Sequence, residues 1–314
     1  MLSPFAAYFL KRLFAVIPTM WLVVTFVFFF LRLIPGDPVD FMLGENAEPT
    51  DRARLIQAYH FDEPLPLQYL SYLQDVVTGR LGKSYNTGLD VDTNLWRRYG
   101  NTLELGGIAI LWAILFSLPL GIIAAVKKGT ATDRLLSFFS LFGISMPTFY
   151  LGPLLALIFA VRLDCLPVSG RDLPGSVVLP SLTLGLAMAA LLMRFTRTSL
   201  IEVLSKDYVR TARAKGVRPF FVVVKHAFRT ALVPVISILG LQLGALLTGT
   251  VVTEKVFSWP GIGSFLLDAI SRREYALVQG SCLLIALTYV VVNLFTDLVN
   301  SIIDPRFDLT AEAP

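Results

Sequence analysis

The sequence predicts an all-α integral membrane protein with six transmembrane helices, on three observations. Of 314 residues, 55 % are hydrophobic and only 16 % charged, against about 25 % charged in an ordinary globular chain, and the mean hydropathy is +0.67. A soluble fold of this size must clothe its surface in polar groups, so much of this chain has lipid for a solvent. Six uncharged stretches reach, or nearly reach, the length of about 20 residues that crosses a hydrocarbon core. The basic residues gather at the ends of those stretches, as membrane topology requires. The net charge of +4 and pI near 9.1 are explained in that way, without a nucleic-acid partner.

In chain order the spans are Leu13 to Leu31, after Lys11 and Arg12; Leu105 to Val126, closed by Lys127 and Lys128; and Leu135 to Val161, carrying Pro147 and Pro153. Val177 to Met193 is shorter, Ala231 to Val252 is rich in glycine, and Ala276 to Val299 completes the set. The first is too long for the apolar part of a cleaved signal peptide and is followed by Pro35-Gly36-Asp37-Pro38, not a small-residue cleavage site. It reads as a retained anchor.

Six spans place both termini on one side, and short loops select the side. With cytoplasmic termini, the inside holds 15 Lys and Arg, nine of them between Arg194 and Arg229, and the two short outer loops hold five. The seven others, from Arg32 to Arg98, lie in a segment too long to vote. That segment, residues 35–101, reads as a small helical extracytoplasmic cap. Asp51 to Tyr59 and Leu67 to Thr78 have amphipathic spacing between breakers, with Leu67, Leu70, Leu73 and Val77 on one face before Gly79. Its acids (Asp37, Asp40, Glu45, Glu48, Asp51, Asp62, Glu63, Asp75, Asp90 and Asp92) outnumber its bases. A solvated surface and a docking face for an external partner both fit that excess.

Several chemistries are excluded. Gly82-Lys83-Ser84 looks like the end of a phosphate-binding loop, but the Gly required five residues before Gly82 is Val77. The histidines, His60 and His226, lie outside the spans, so neither serves a hydrolytic site inside the bilayer. No span carries a charge at its centre; Glu104 and Asp297 sit near helix ends, which argues against an ion-coupled carrier. Cys165 and Cys282 cannot form a disulfide framework or a zinc site. What remains is a pore-forming subunit powered from elsewhere, with an autonomous secondary transporter as the alternative.

The loop after the fourth span, from Arg194 to Pro234, is the most informative. Ile201, Leu204, Tyr208 and Thr211-Ala212 recur at helical spacing, Lys206, Arg210 and Arg213 share another face, and Gly216 is a natural stop. The pattern predicts a short amphipathic helix. Taken alone, it fits a helix lying on anionic lipid as well as one that docks a protein.

The run Asp207-Tyr208-Val209-Arg210-Thr211-Ala212-Arg213-Ala214-Lys215-Gly216 resembles the signature loop of permease subunits of bacterial ABC importers of the dipeptide, oligopeptide and nickel family. Leu33-Ile34-Pro35-Gly36-Asp37-Pro38, Gly143-Ile144-Ser145-Met146-Pro147, Leu179-Pro180-Ser181-Leu182-Thr183, Glu254 to Gly263 and Asp304-Pro305-Arg306 extend the resemblance over nearly the whole chain. One departure stands out. Arg210, Thr211 and Ala212 occupy the E-A-A positions of the general importer pattern, and Pro234 comes late. The peptide and nickel branch is similar to this longer version, and no Glu-mediated contact carries over.

The resemblance implies a type I importer-like fold, divided into 1–34 (the N-terminus and first span), the cap 35–101 and a permease core 102–314 with a coupling loop at 201–230. It implies a transport subunit of the bacterial inner membrane, not an enzyme, with ATP and magnesium bound by partner subunits and no cofactor in this chain. The implied partners are a homologous second permease, two cytoplasmic ATPase subunits and an extracytoplasmic solute-binding protein. The implied cargo is a peptide or a related solute such as glutathione, a nickel chelate or an opine. Tyr208, Val209, Arg210, Thr211, Ala212, Arg213, Ala214, Lys215 and Gly216 are expected to form the coupling helix, with Ala212 facing the ATPase. Gln242, inside Gly240-x-x-x-Gly244 of the fifth span, is the candidate polar group on the translocation path; close packing within the chain is the plainer use of that glycine pair.

Overall fold

The computed structural model describes residues 4–33, 39, 43, 48–58, 61–84, 88 and 90–303. Residues 34–38, Asp40, Glu45, Tyr59, His60 and Asp304-Pro305-Arg306 lie outside these. The described chain is helical, in the order α1 (Pro4–Leu33), α2 (Pro49–Ala58), α3 (Leu65–Thr78), α4 (Val91–Val126), α5 (Ala131–Ser145), α6 (Thr148–Ala156), α7 (Val178–Leu204), α8 (Asp207–Ala214), α9 (Phe228–Val256), α10 (Ile262–Ser271) and α11 (Tyr275–Ile303). Helices α1, α4, α7, α9 and α11 are long and apolar enough to cross a membrane, and the α5–α6 pair makes a sixth span if counted as one.

Three features depart from the linear reading. The third span is not one rod: α5 and α6 meet at 106°. Met146 takes φ −88° and ψ 115°, the extended backbone that a following proline imposes, and Pro147 then opens α6. α6 itself widens into a π-helical turn over Leu157–Arg162. The second span is the C-terminal part of a 36-residue helix about 54 Å long. It starts at Val91, where Val91 and Leu95 are buried, and runs through Gly100 to Leu105 without a break. Finally, α7 runs past Met193 to Leu204, carrying Arg194 and Arg197 with it.

The chain divides into two compact units, Met1–Tyr8 with Leu103–Trp259 and Val291–Pro314, and Phe9–Thr102 with Pro260–Val290. In the first, glycines set the helix spacing. A Cβ on Gly185 would stand 2.6 Å from the Trp112 Cβ, and one on Gly121 would stand 2.7 Å from the Thr196 Cβ, so α4 and α7 approach backbone to backbone as small residues allow. α5 is fastened to α7 by Ser140 Oγ donating to the Ala190 carbonyl at 2.6 Å and by a bidentate ion pair. Arg197 Nε and Nη2 donate to Asp133 Oδ1 and Oδ2 at 2.6 and 2.8 Å, and the Gly129 N–H donates to Oδ2 at 2.9 Å.

In the second unit, Leu31, Val91, Leu95, Ile262, Ala269, Tyr275, Leu277 and Val278 form the core. α3 sits against the end of α1 through Tyr69 and Tyr72 on the Phe28 ring and through Gln68 Oε1, which accepts from Arg32 Nε and Nη2 at 3.2 and 2.7 Å. α3 stops where expected, at Gly79 with φ +73°. The Lys83 and Ser84 of the rejected phosphate-loop motif have structural tasks: Lys83 forms a β-bridge with Asp90, and Ser84 Oγ donates to the buried Glu274 Oε2 at 2.6 Å.

Candidate coupling surface and translocation path

α8 is separated from α7 by a tight break. Lys206 is extended (φ −73°, ψ 149°), so Ile201 and Leu204, whose spacing runs smoothly into Tyr208, belong to the preceding helix. The expected single amphipathic pattern is therefore two helices. Asp207 occupies the first turn of α8 and Arg213 the last, each at the end where the helix dipole favours it. The C-terminus is a Schellman motif. The Gly216 N–H donates to the Arg213 carbonyl at 3.0 Å and the Val217 N–H to the Ala212 carbonyl at 3.3 Å, with Gly216 at φ +76°.

Val209 and Ala212, one turn apart, are buried at 0 % and 9 % exposure. They pack into a cluster with Ala125, Leu200, Val203, Val222, Ala227 and Ala231. This reverses the expected orientation of Ala212: it seats α8 on its own chain and does not offer itself to a partner. The outward face consists of Tyr208, Arg210, Thr211, Arg213, Ala214, Lys215 and Gly216. It is strongly basic; Arg210 has the exposed Asp207 within 3.5 Å, a pairing that contributes little at such exposure. Tyr208 Oη donates to Thr230 Oγ1 at 3.3 Å. Beside the helix lies a cleft of about 430 Å³ walled by Leu204, Arg213, Val217 and Pro219.

Gly240 of α9 lies against α11, where an added Cβ would collide with the Thr296 side chain. That glycine serves packing within the chain. Gln242, two residues on, points about 200° away around the helix. It is half-buried, and its Nε2 is sequestered with no hydrogen-bond partner among the described residues. An amide donor in that position gains from any acceptor brought to it.

Long apolar helices, one broken span and a basic surface helix slung between two of them define a multi-span membrane permease. The chain belongs to the family of inner-membrane components of binding-protein-dependent transport systems, which matches residues 117–309, with the N-terminal portion of such membrane components matching residues 5–106. It is 43 % identical over 298 residues to the glutathione transport system permease protein GsiC of Salmonella typhimurium, spanning 95 % of this chain and 97 % of that protein. The GsiC proteins of Escherichia coli K12 and Pectobacterium atrosepticum are each 42 % identical over the same length. Among solved structures, a chain of the MetNI methionine ABC transporter in an inward-facing conformation superposes with a TM-score of 0.58 at 18 % identity, covering 67 % of this chain and 96 % of that one. The chain is the permease subunit of an ABC importer.

Proposed function

We propose that this subunit forms half of a translocation pore for glutathione or a closely related small peptide. The observation that carries the substrate class is the 43 % identity over 95 % of the chain to permeases of a glutathione transport system. The other half is a homologous permease, and two ATPase subunits supply the force while binding ATP and magnesium themselves. A solute-binding protein delivers the cargo. This chain holds no cofactor and catalyses no reaction.

The basic face of α8 docks on an ATPase subunit. Closure of the ATPases pulls on it, and the movement passes through Val209 and Ala212 into α7 and α9, whose Leu200, Val203 and Ala231 belong to the same apolar cluster. The test is uptake of labelled glutathione into vesicles holding the complete assembly. Uptake should require ATP, the binding protein and this chain; uptake driven by an ion gradient with the ATPases omitted would identify a secondary transporter instead.

The proposed orientation has both termini cytoplasmic in the bacterial inner membrane, because the 15 basic residues on that side face five on the other. In a background lacking the exposed Cys165, single cysteines at Glu48 and Asp90 should react with an impermeant thiol reagent in intact spheroplasts. One at Arg213 should react only after permeabilisation. The reverse pattern would invert the topology.

Gln242 is proposed to meet the cargo. Gln242→Leu should raise the KM for glutathione about tenfold, the cost of one lost polar contact, while the ATPases still copurify; unchanged uptake kinetics would remove it from the path.

A further inference from the structure

A cavity of about 440 Å³ opens beside α3, the turn that follows it and the start of α11. Its lining carries Arg32, Tyr72, Arg80, Lys83 and Gln279, with Asp75 as its acid. The side chains of Arg80, Lys83 and Gln279 and the Tyr72 hydroxyl make no hydrogen bond or ion pair among the described residues. Burial pushes the Tyr72 phenol above its usual range, so it stays a donor. Four donors, two of them cationic, therefore line one hollow without a hydrogen-bond partner, with Asp75 as its single carboxylate.

The level of the hollow is set by its walls. Arg32 directly follows the apolar run that ends at Leu31, and Gln279 lies just inside the helix that opens at Tyr275, so two spans end at its height. α3 has two opposite faces. Gln68, Tyr72 and Asp75 turn toward the cavity, whereas Leu67, Leu70 and Val77 are 51 %, 60 % and 86 % exposed. An amphipathic helix with an open leucine face, tied to the end of a membrane span by the Arg32–Gln68 hydrogen bonds, lies where lipid covers that face. Tyr69 and Tyr72, packed on Phe28, are the aromatic residues expected at a membrane–water boundary.

We infer that this cavity is a binding site for the phosphate headgroup of a membrane glycerophospholipid. The phosphodiester is held by Arg80 and Lys83 and by the Tyr72 and Gln279 donors, and Asp75 favours a headgroup that bears an ammonium. The site anchors the residue 61–84 segment on the bilayer.

The experiment uses the complete importer, purified from nanodiscs of phosphatidylethanolamine and phosphatidylglycerol and stripped stepwise in detergent. Native mass spectrometry then counts the phospholipids retained. The intact assembly should keep one more phospholipid than an Arg80→Glu/Lys83→Glu assembly, which should bind it at least about tenfold more weakly. Reversal of the exposed Arg97 as a control should change nothing. Should the reversed pair fail to assemble, Arg80→Gln/Lys83→Gln is read in the same way. Equal retention in the paired variant and the parent overturns the site. Glycerophosphoethanolamine, inorganic phosphate and glutathione are added separately to the stripped parent. Binding of either of the last two that added phospholipid cannot displace assigns the cavity to a free solute and equally overturns the proposal. Glutathione uptake is measured on the same samples, so failure of the lipid site and failure of the transport assignment are read independently.

Discussion

Asp133→Asn should be among the most damaging single changes outside the transport path. The Asp133 side chain is 5 % exposed and its partner Arg197 27 %, and the carboxylate accepts both guanidinium bonds as well as the Gly129 N–H. An amide of the same shape cannot hold the fork at both oxygens, and a guanidinium stays behind in a poorly hydrated place. Breaking such a pair from one side costs on the order of 3–5 kcal/mol, and the partial exposure of Arg197 places this case toward the lower figure. The loss should register as a marked fall in the thermal midpoint of the purified assembly. Asp133→Leu combined with Arg197→Met should recover much of it, because an apolar pair removes both desolvation penalties. If Asp133→Asn melts with the parent, the clasp between α5 and α7 is not what holds these helices together.

That clasp also shows where linear reading stops. Asp133 and Arg197 are 64 residues apart, and nothing in either neighbourhood marks them as partners. By contrast, the spans were legible because hydrophobic length is a local property. So were the stops at Gly79 and Gly216, which take positive φ in the structure as a glycine past the last helical turn does. The 106° break at Met146-Pro147 was hidden because the residues on both sides are equally apolar. Pro153 lies within α6 without ending it, so proline count alone could not choose the position. α10, at ten residues, is too short for any spanning criterion.

The candidate coupling helix divides along the same line. That a short helix ends at Gly216 was legible in the run from Asp207, because residue types and order carry it. Its orientation was not. The spacing of Ile201, Leu204, Tyr208 and Thr211 describes one stripe only if the helix is continuous, and the extended backbone at Lys206 resets the phase. After that reset the inward positions are Val209 and Ala212, which pack in one cluster with Val222 and Ala227. Small residues in a surface helix invite the inference of close approach by a partner; here the close approach is made by the chain itself.

Ala212→Trp should therefore abolish transport by a route that differs from that of an outward substitution. Ala212 is 9 % exposed in a packed cluster, and an indole placed there has no volume to occupy; overpacking of this kind costs about 1–3 kcal/mol or more. α8 should lift from its seat. The ATPases should then copurify poorly and ATP hydrolysis should lose its response to the loaded binding protein. Gly216→Val acts on the same helix through its end, forcing a β-branched residue to φ +76° at about 1–2 kcal/mol, and should give a milder form of the defect. Thr211→Trp, on the outward face, should leave the permease as heat-stable as the parent and still prevent docking. The discriminating measurement pairs thermal stability of the permease alone with ATPase copurification: Ala212→Trp should lower both, and Thr211→Trp only the second. If Thr211→Trp retains full assembly and transport per ATP, the exposed face of α8 does not touch the ATPase, and the helix is held against lipid.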